Sequence, residues 1–185
     1  MLSQDENDVI AIGTYYPYSN VKQDEFSRHV LNCKSTSEFN TVEKRRKALN
    51  FLRPQVRQKI SEISSRYPDS TCILLVVPSS KPGRSLFQSA VDDWTQDLNV
   101  SNLEIFAEGL QRSTEIERTT MGGRYKHRAK SLVLSIDIKD KVVILIDDIY
   151  TTGATMQATK SWLEQCSPKV IVMMRLGRTV DRSKV

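Results

Sequence analysis

An α/β fold with a mostly parallel central sheet flanked by helices is predicted, and three features of the sequence predict it. Residues 72–77 (CILLVV), 141–146 (KVVILI) and 169–174 (KVIVMM) are short, almost wholly apolar runs, as strands buried on both faces of a parallel sheet require. Stretches with apolar residues at helical spacing lie between such runs. The connecting segments are short, which suits strand–helix–strand units with parallel crossovers.

The elements follow in order. Residues 9–16 (VIAIGTYY) read as a short strand, and the next Tyr-Pro-Tyr-Ser-Asn as a turn. Residues 24–33 read as a helix with Phe26, Val30 and Cys33 on one face. Residues 41–52 look helical. Pro54 is expected to interrupt that run and to start a second helix carrying Val56, Ile60 and Ile63, because proline lacks the N–H and clashes with the preceding turn. Residues 1–68 show no recognisable chemistry and are read as a small α/β addition packed on a core of residues 69–185. In that core, 72–77 is a central strand. Residues 85–98 form a helix with Phe87, Val91, Trp94 and Leu98 as its stripe. Residues 103–107 and 131–136 are short strands, and 141–146 is the strongest strand. Residues 154–165 form a helix with Ala154, Ala158 and Trp162 spaced by four, and 169–174 is a further strand.

Bulk properties exclude several classes. The chain has 185 residues, 39% hydrophobic and 26% charged, which fits one ordinary globular domain. No run of about 18 uncharged apolar residues exists, so no transmembrane helix is expected. Residues 1–8 are acidic and polar, unlike a signal peptide. The three cysteines, Cys33, Cys72 and Cys166, are far apart, with no CxxC or Cys/His cluster. Neither a disulfide framework nor a protein-held metal site is expected, and a reducing cytoplasm fits. The formal net charge of +5 suits a polyanionic partner, whether a phosphorylated small molecule, RNA or DNA. A mildly basic solvated surface accounts for it equally.

Residues 141–155 carry the chemistry. An apolar strand ends in Asp147 and Asp148, a loop of small hydroxyl residues with one glycine follows, and a helix begins. Ligands of open α/β sheets bind beyond the carboxyl ends of the strands. A helix N-terminus offers unpaired N–H groups and the positive end of its dipole. Gly153 permits close backbone approach to an anion, and the hydroxyls of Thr151, Thr152 and Thr155 add donors. The two carboxylates would repel a phosphate at contact but accept hydrogen bonds from neutral hydroxyls beside it. The segment thus reads as a site for a sugar phosphate with adjacent hydroxyls. The acid-ended strand of an ATPase is a competitor, but no G-x-x-x-x-G-K-S/T loop lies upstream. The other competitor is a helix capped by a threonine, with both acids merely solvated.

The segment resembles the PRPP signature of the type I phosphoribosyltransferases: four apolar residues, two acids, an apolar residue, a variable position, then T-T-G-A-T. The resemblance implies that family's fold and a displacement at the anomeric carbon of PRPP, with a nitrogen nucleophile entering as pyrophosphate leaves. It assigns Asp147 and Asp148 to the ribose hydroxyls as catalytic residues. It assigns Thr151, Thr152, Gly153, Ala154 and Thr155 to the 5-phosphate. A pyrophosphate loop is implied at residues 77–84, with Ser79, Ser80, Lys81, Gly83 and Arg84. A basic lid is implied within residues 110–130, with Arg118, Arg124, Lys126 and Arg128 around Gly122 and Gly123, and with His127 as a surface residue. Mg2+ would be bound through PRPP. Within the family the chain is most similar to the ComF-like, competence-associated group, through residues 15–34, Leu110-x-Arg112, Arg124 and the tail at residues 175–179. It lacks that group's four-cysteine zinc module. Three functions stay open: a transferase with an unknown acceptor, a PRPP- or nucleotide-binding module acting on nucleic acid, or, with no positive sign in the sequence, a hydrolytic or toxic effector that uses PRPP or a nucleotide. A homodimer is the expectation from family analogy.

Overall fold

The computed structural model describes residues 9–16, 24–34, 41–79, 83–113, 131–150 and 153–179. In chain order these form β1 (Ile10–Tyr15), α1 (Glu25–Lys34), α2 (Val42–Ser64), β2 (Cys72–Val76), α3 (Leu86–Thr95) and β3 (Leu103–Phe106). Then come β4 (Leu110–Arg112), β5 (Leu132–Leu134), β6 (Val142–Tyr150), α4 (Ala154–Leu163), a 3-10 turn at Glu164–Cys166, and β7 (Val170–Thr179). Five strands make one sheet in the order β1-β7-β6-β2-β3, and every neighbouring pair is parallel.

The apolar runs are central strands because both their faces are covered, and residue alternation divides the core in two. Cys72, Leu74, Val76, Val142, Ile144, Ile146, Met174 and Leu176 face one layer, built from α1, α2 and α3. Ile73, Leu75, Val77, Val143, Leu145 and Met173 face the other, built from α4 and the β4–β5 pair. A two-residue period in the strands thus meets the wider stripe of each helix. Thr41 caps α2, accepting from Lys44 N at 3.3 Å. A capping box of Ser85 and Gln88 starts α3, and the Gln88 side chain also donates to the Ala107 carbonyl at 3.1 Å. The Asn102 amide donates to the carbonyls of Ser64, Tyr67 and Ser70 at 3.3, 2.9 and 3.1 Å. It thereby joins the end of α2 to the entrance of β2.

Several expectations need correction. Pro54 does not divide α2, which runs unbroken from Val42 to Ser64. The buried stripe Ala48, Leu52, Val56, Ile60 and Ile63 continues across it, and its packing against the sheet outweighs the missing N–H. The Gln55 side chain also donates to the Phe51 carbonyl at 3.0 Å, in the turn that the proline loosens. Residues 131–136 shrink to Leu132–Leu134, which pairs antiparallel with Leu110–Arg112 in a separate two-stranded sheet. The helices end earlier than their stripes suggested: α3 stops at Thr95, short of Leu98, and α4 gives way to a 3-10 turn after Leu163. Strands β6 and β7 are longer than their apolar runs. Their pairing continues to Tyr150↔Arg178, so both acids belong to the strand itself.

Candidate functional site

The carboxyl end of β6 gathers the chemistry. Asp147 lies in register with Arg175 of β7, and the next pair is Ile149↔Gly177. Asp147 Oδ1 accepts from the Asp148 backbone N–H at 2.9 Å, and Asp148 Oδ1 accepts from the Ile149 N–H. Both acids are half-buried at the strand end. Gly153 is the N-cap of α4, with φ 68° and no side-chain capping bond. An L side chain is strained at that φ, so glycine suits the position. The helix is therefore not capped by a threonine. Its N-terminal N–H groups receive no acceptor from the cap side chain and stand at the positive end of the helix dipole. Ala154 and Thr155 stand in its first turn.

The exit of β2 lies alongside. Val77 N–H donates to the Ile146 carbonyl at 2.9 Å, one residue before Asp147. Ser79, and Gly83 with φ 90°, flank residues 80–82. Arginines bond at both flanks. Arg112 Nε donates to the Ser79 carbonyl at 2.8 Å. Arg84 pairs with Asp92 and with Glu108, the latter at 2.9 Å, and its Nε donates to Ser89 Oγ at 3.1 Å. Its charge is thus already compensated by two acids. Ser80, Lys81, Thr151, Thr152, Arg118, Arg124, Lys126, His127 and Arg128 lie outside the described residues.

Of the expected site residues, the fold brings Asp147, Asp148, Gly153, Ala154 and Thr155 together at the end of β6, with Ser79 at the adjacent end of β2. Two buried arginines at this end, Arg112 and Arg175, received no role from the sequence. The available signal was a charge inside a strand: Arg175 follows the run VIVMM and Arg112 closes Leu-Gln-Arg. An open groove of about 710 Å³, lined by Leu134, Ile136, Trp162 and Cys166 among others, sits at the entrances of β6 and β7. That is the end opposite the acids. Among the described residues no group of three or more His, Cys, Asp or Glu is placed to hold a metal ion. None of their helices is long and apolar enough to cross a membrane. Cys33, Cys72 and Cys166 are free thiols.

Residues 103–182 match the family model of the phosphoribosyl transferase domain. A hypoxanthine-guanine phosphoribosyltransferase from Bacillus anthracis superposes with a TM-score of 0.51 at 18% identity, over 74% of each chain. A phosphoribosylpyrophosphate synthetase from Mycobacterium smegmatis gives 0.42 at 17% identity, over 69% of this chain and 33% of that one. A hypoxanthine phosphoribosyltransferase from Staphylococcus aureus gives 0.46 at 12% identity, over 72% of this chain and 74% of that one. The chain spans a third of the length of that synthetase. No curated protein matches the chain. The fold is that of the type I phosphoribosyltransferases.

Proposed function

We propose that the chain is a Mg2+-dependent phosphoribosyltransferase that displaces pyrophosphate from PRPP with a nitrogen nucleophile of a base or related acceptor. The observation that carries this reading is the order at the end of β6: two carboxylates on the strand, then a helix opened by a left-handed glycine. It stands next to the end of β2. The matched domain supports the same reading.

In this reading each residue has its own task. The N-terminus of α4, with Thr151, Thr152, Gly153, Ala154 and Thr155, receives the 5-phosphate through N–H groups and hydroxyls. Asp147 and Asp148 accept hydrogen bonds from the two ribose hydroxyls and fix the sugar. Their charge also favours the cation that develops at the anomeric carbon as pyrophosphate departs. Ser79, Ser80, Lys81 and Gly83 form the pyrophosphate turn, with Arg84 holding its exit. Arg118, Arg124, Lys126 and Arg128 supply positive charge toward the leaving group. Mg2+ would be held through the oxygens of PRPP, since it takes few protein ligands beside substrate phosphates. When bound, the ion neutralises charge on the departing pyrophosphate. We also place the chain in the reducing cytoplasm, as a homodimer, nearest the ComF-like group.

Calorimetric titration of Mg·PRPP into the wild type and an Asp147→Asn/Asp148→Asn variant tests the site. Hydrogen bonds to a charged group contribute roughly 1.5–3 kcal/mol each, so affinity should fall at least about tenfold in a folded variant. Equal affinities would refute the assignment of the acids. No binding by the wild type would refute PRPP as the ligand.

A further inference from the structure

Arg112 joins three segments that are far apart in the chain. It ends β4 and is 5% exposed. Its Nε donates to the Ser79 carbonyl at 2.8 Å, and its Nη1 donates to Ser131 Oγ at 3.1 Å. Ser79 stands two residues beyond Val77, whose N–H is bonded to β6 directly before Asp147. Ser131 is itself fixed across the β4–β5 pair. The Ser113 N–H and Oγ donate to its carbonyl at 2.8 and 3.3 Å. One buried side chain therefore ties the exit of β2 to the mouth of the hairpin.

The choice of residue fits that task. A guanidinium is a planar fork of donors in fixed directions, so two bonds from it fix two acceptors relative to each other. Lysine offers a point charge on a flexible stem and does not impose such a geometry. The acceptor at Ser79 is a main-chain carbonyl, so the bond sets the direction of the backbone there. A carbonyl oxygen carries partial negative charge and would oppose a polyanion. Arg112 engages that oxygen with a cation.

We propose that Arg112 is a positioning residue for the pyrophosphate half of the site, setting the backbone at Ser79 through the bond from its Nε and acting on the ligand through that backbone. This rests on the PRPP reading above. It goes further by separating the residue that orients this backbone from those that meet the ligand. Arg84, at the other end, is exposed and paired to surface acids.

The test uses the full chain with Arg112→Gln and Arg112→Lys, titrated with Mg·PRPP and with ribose 5-phosphate. Arg112→Gln should weaken PRPP binding by about tenfold and leave ribose 5-phosphate, which needs only the β6 end, unchanged. Arg112→Lys should not rescue. Equal losses for both ligands would mean a merely structural role, and full rescue by lysine would mean bulk charge; either overturns the proposal. Hydrogen exchange of the unliganded proteins completes the test. Exchange around Ser79 should speed up in Arg112→Lys while α2 is unchanged. If the wild type binds neither ligand, the PRPP reading fails separately, and unchanged exchange at Ser79 would then sink the coupling itself. If Arg112→Gln does not fold, Arg112→Lys carries both measurements.

Discussion

Cys33 is 1% exposed among α1, α2 and α3. Burial pushes its thiol from 9.0 up to about 12, against a smaller opposing pull from Arg45. Below pH 9 the thiol is protonated whether the chain is folded or not. Between pH 9 and about 12 only the unfolded chain releases the proton. Folding stability should then fall by about 1.4 kcal/mol per pH unit from this group. Urea midpoints at successive alkaline pH values should drop more steeply for the wild type than for Cys33→Ala; parallel slopes would contradict the burial argument. Gly177 makes a second residue-scale case. A Cβ there would stand 2.6 Å from Tyr15 Cβ, where β7 and β1 run side by side with Gly13 opposite Gly177. Gly177→Ala should therefore cost about 1–3 kcal/mol, the usual range for overpacking, readable as a lowered denaturation midpoint. An unchanged midpoint would show that the two strands can part at no cost.

At the scale of elements, α2 carries a defect that its packing tolerates. Pro54 is exposed and leaves the Asn50 carbonyl without its helical donor. Pro54→Ala would restore that N–H without opening a cavity. A proline costs about 3 kcal/mol in a helix interior, and the freer unfolded chain of the alanine variant returns about 1 kcal/mol of that difference. Stability should rise by about 1–2 kcal/mol, seen as a higher thermal midpoint; a fall would mean that the helix is built around the proline. The same residue shows where sequence reading loses its hold. A local rule treats Pro54 alone, whereas the stripe from Ala48 to Ile63 is continuous through it. Strands β2, β6 and β7 were legible because burial on both faces leaves long apolar runs. Strand β4 was not, since Leu110–Arg112 alternates over only three residues. At the site, the passage from strand through acids to glycine and helix is local and could be read directly. The role of Arg112 could not, because its partners lie 33 and 19 residues away.

At the scale of the whole molecule, the first third is built into the sheet and into one face of the core. β1 pairs with β7 from Ile10↔Met174 to Tyr15↔Thr179, so it completes the sheet next to the strand that carries Arg175. Helices α1 and α2 place Val30, Cys33, Ala48, Leu52, Val56, Ile60 and Ile63 in the cluster that also holds Leu74, Val76, Ile144, Ile146 and Met174. Among the described residues, removing 1–68 would leave α3 as the helix covering one face of the central strands. Each large aliphatic side chain in that lost layer contributes roughly 1.5–3 kcal/mol. Total stabilities are typically about 5–15 kcal/mol, so losing five such side chains, Val30, Leu52, Val56, Ile60 and Ile63, would consume most or all of it. A fragment of residues 69–185 should therefore show no cooperative urea transition. Its Cys72, 0% exposed in the whole chain, should become open to thiol reagents at neutral pH. A cooperative transition with Cys72 protected would instead establish residues 69–185 as a self-sufficient core with the first third as a separable addition. The first outcome ties any acceptor region in residues 1–68 to the stability of the PRPP end, so that substitutions in α2 would weaken PRPP binding only as far as they unfold the sheet.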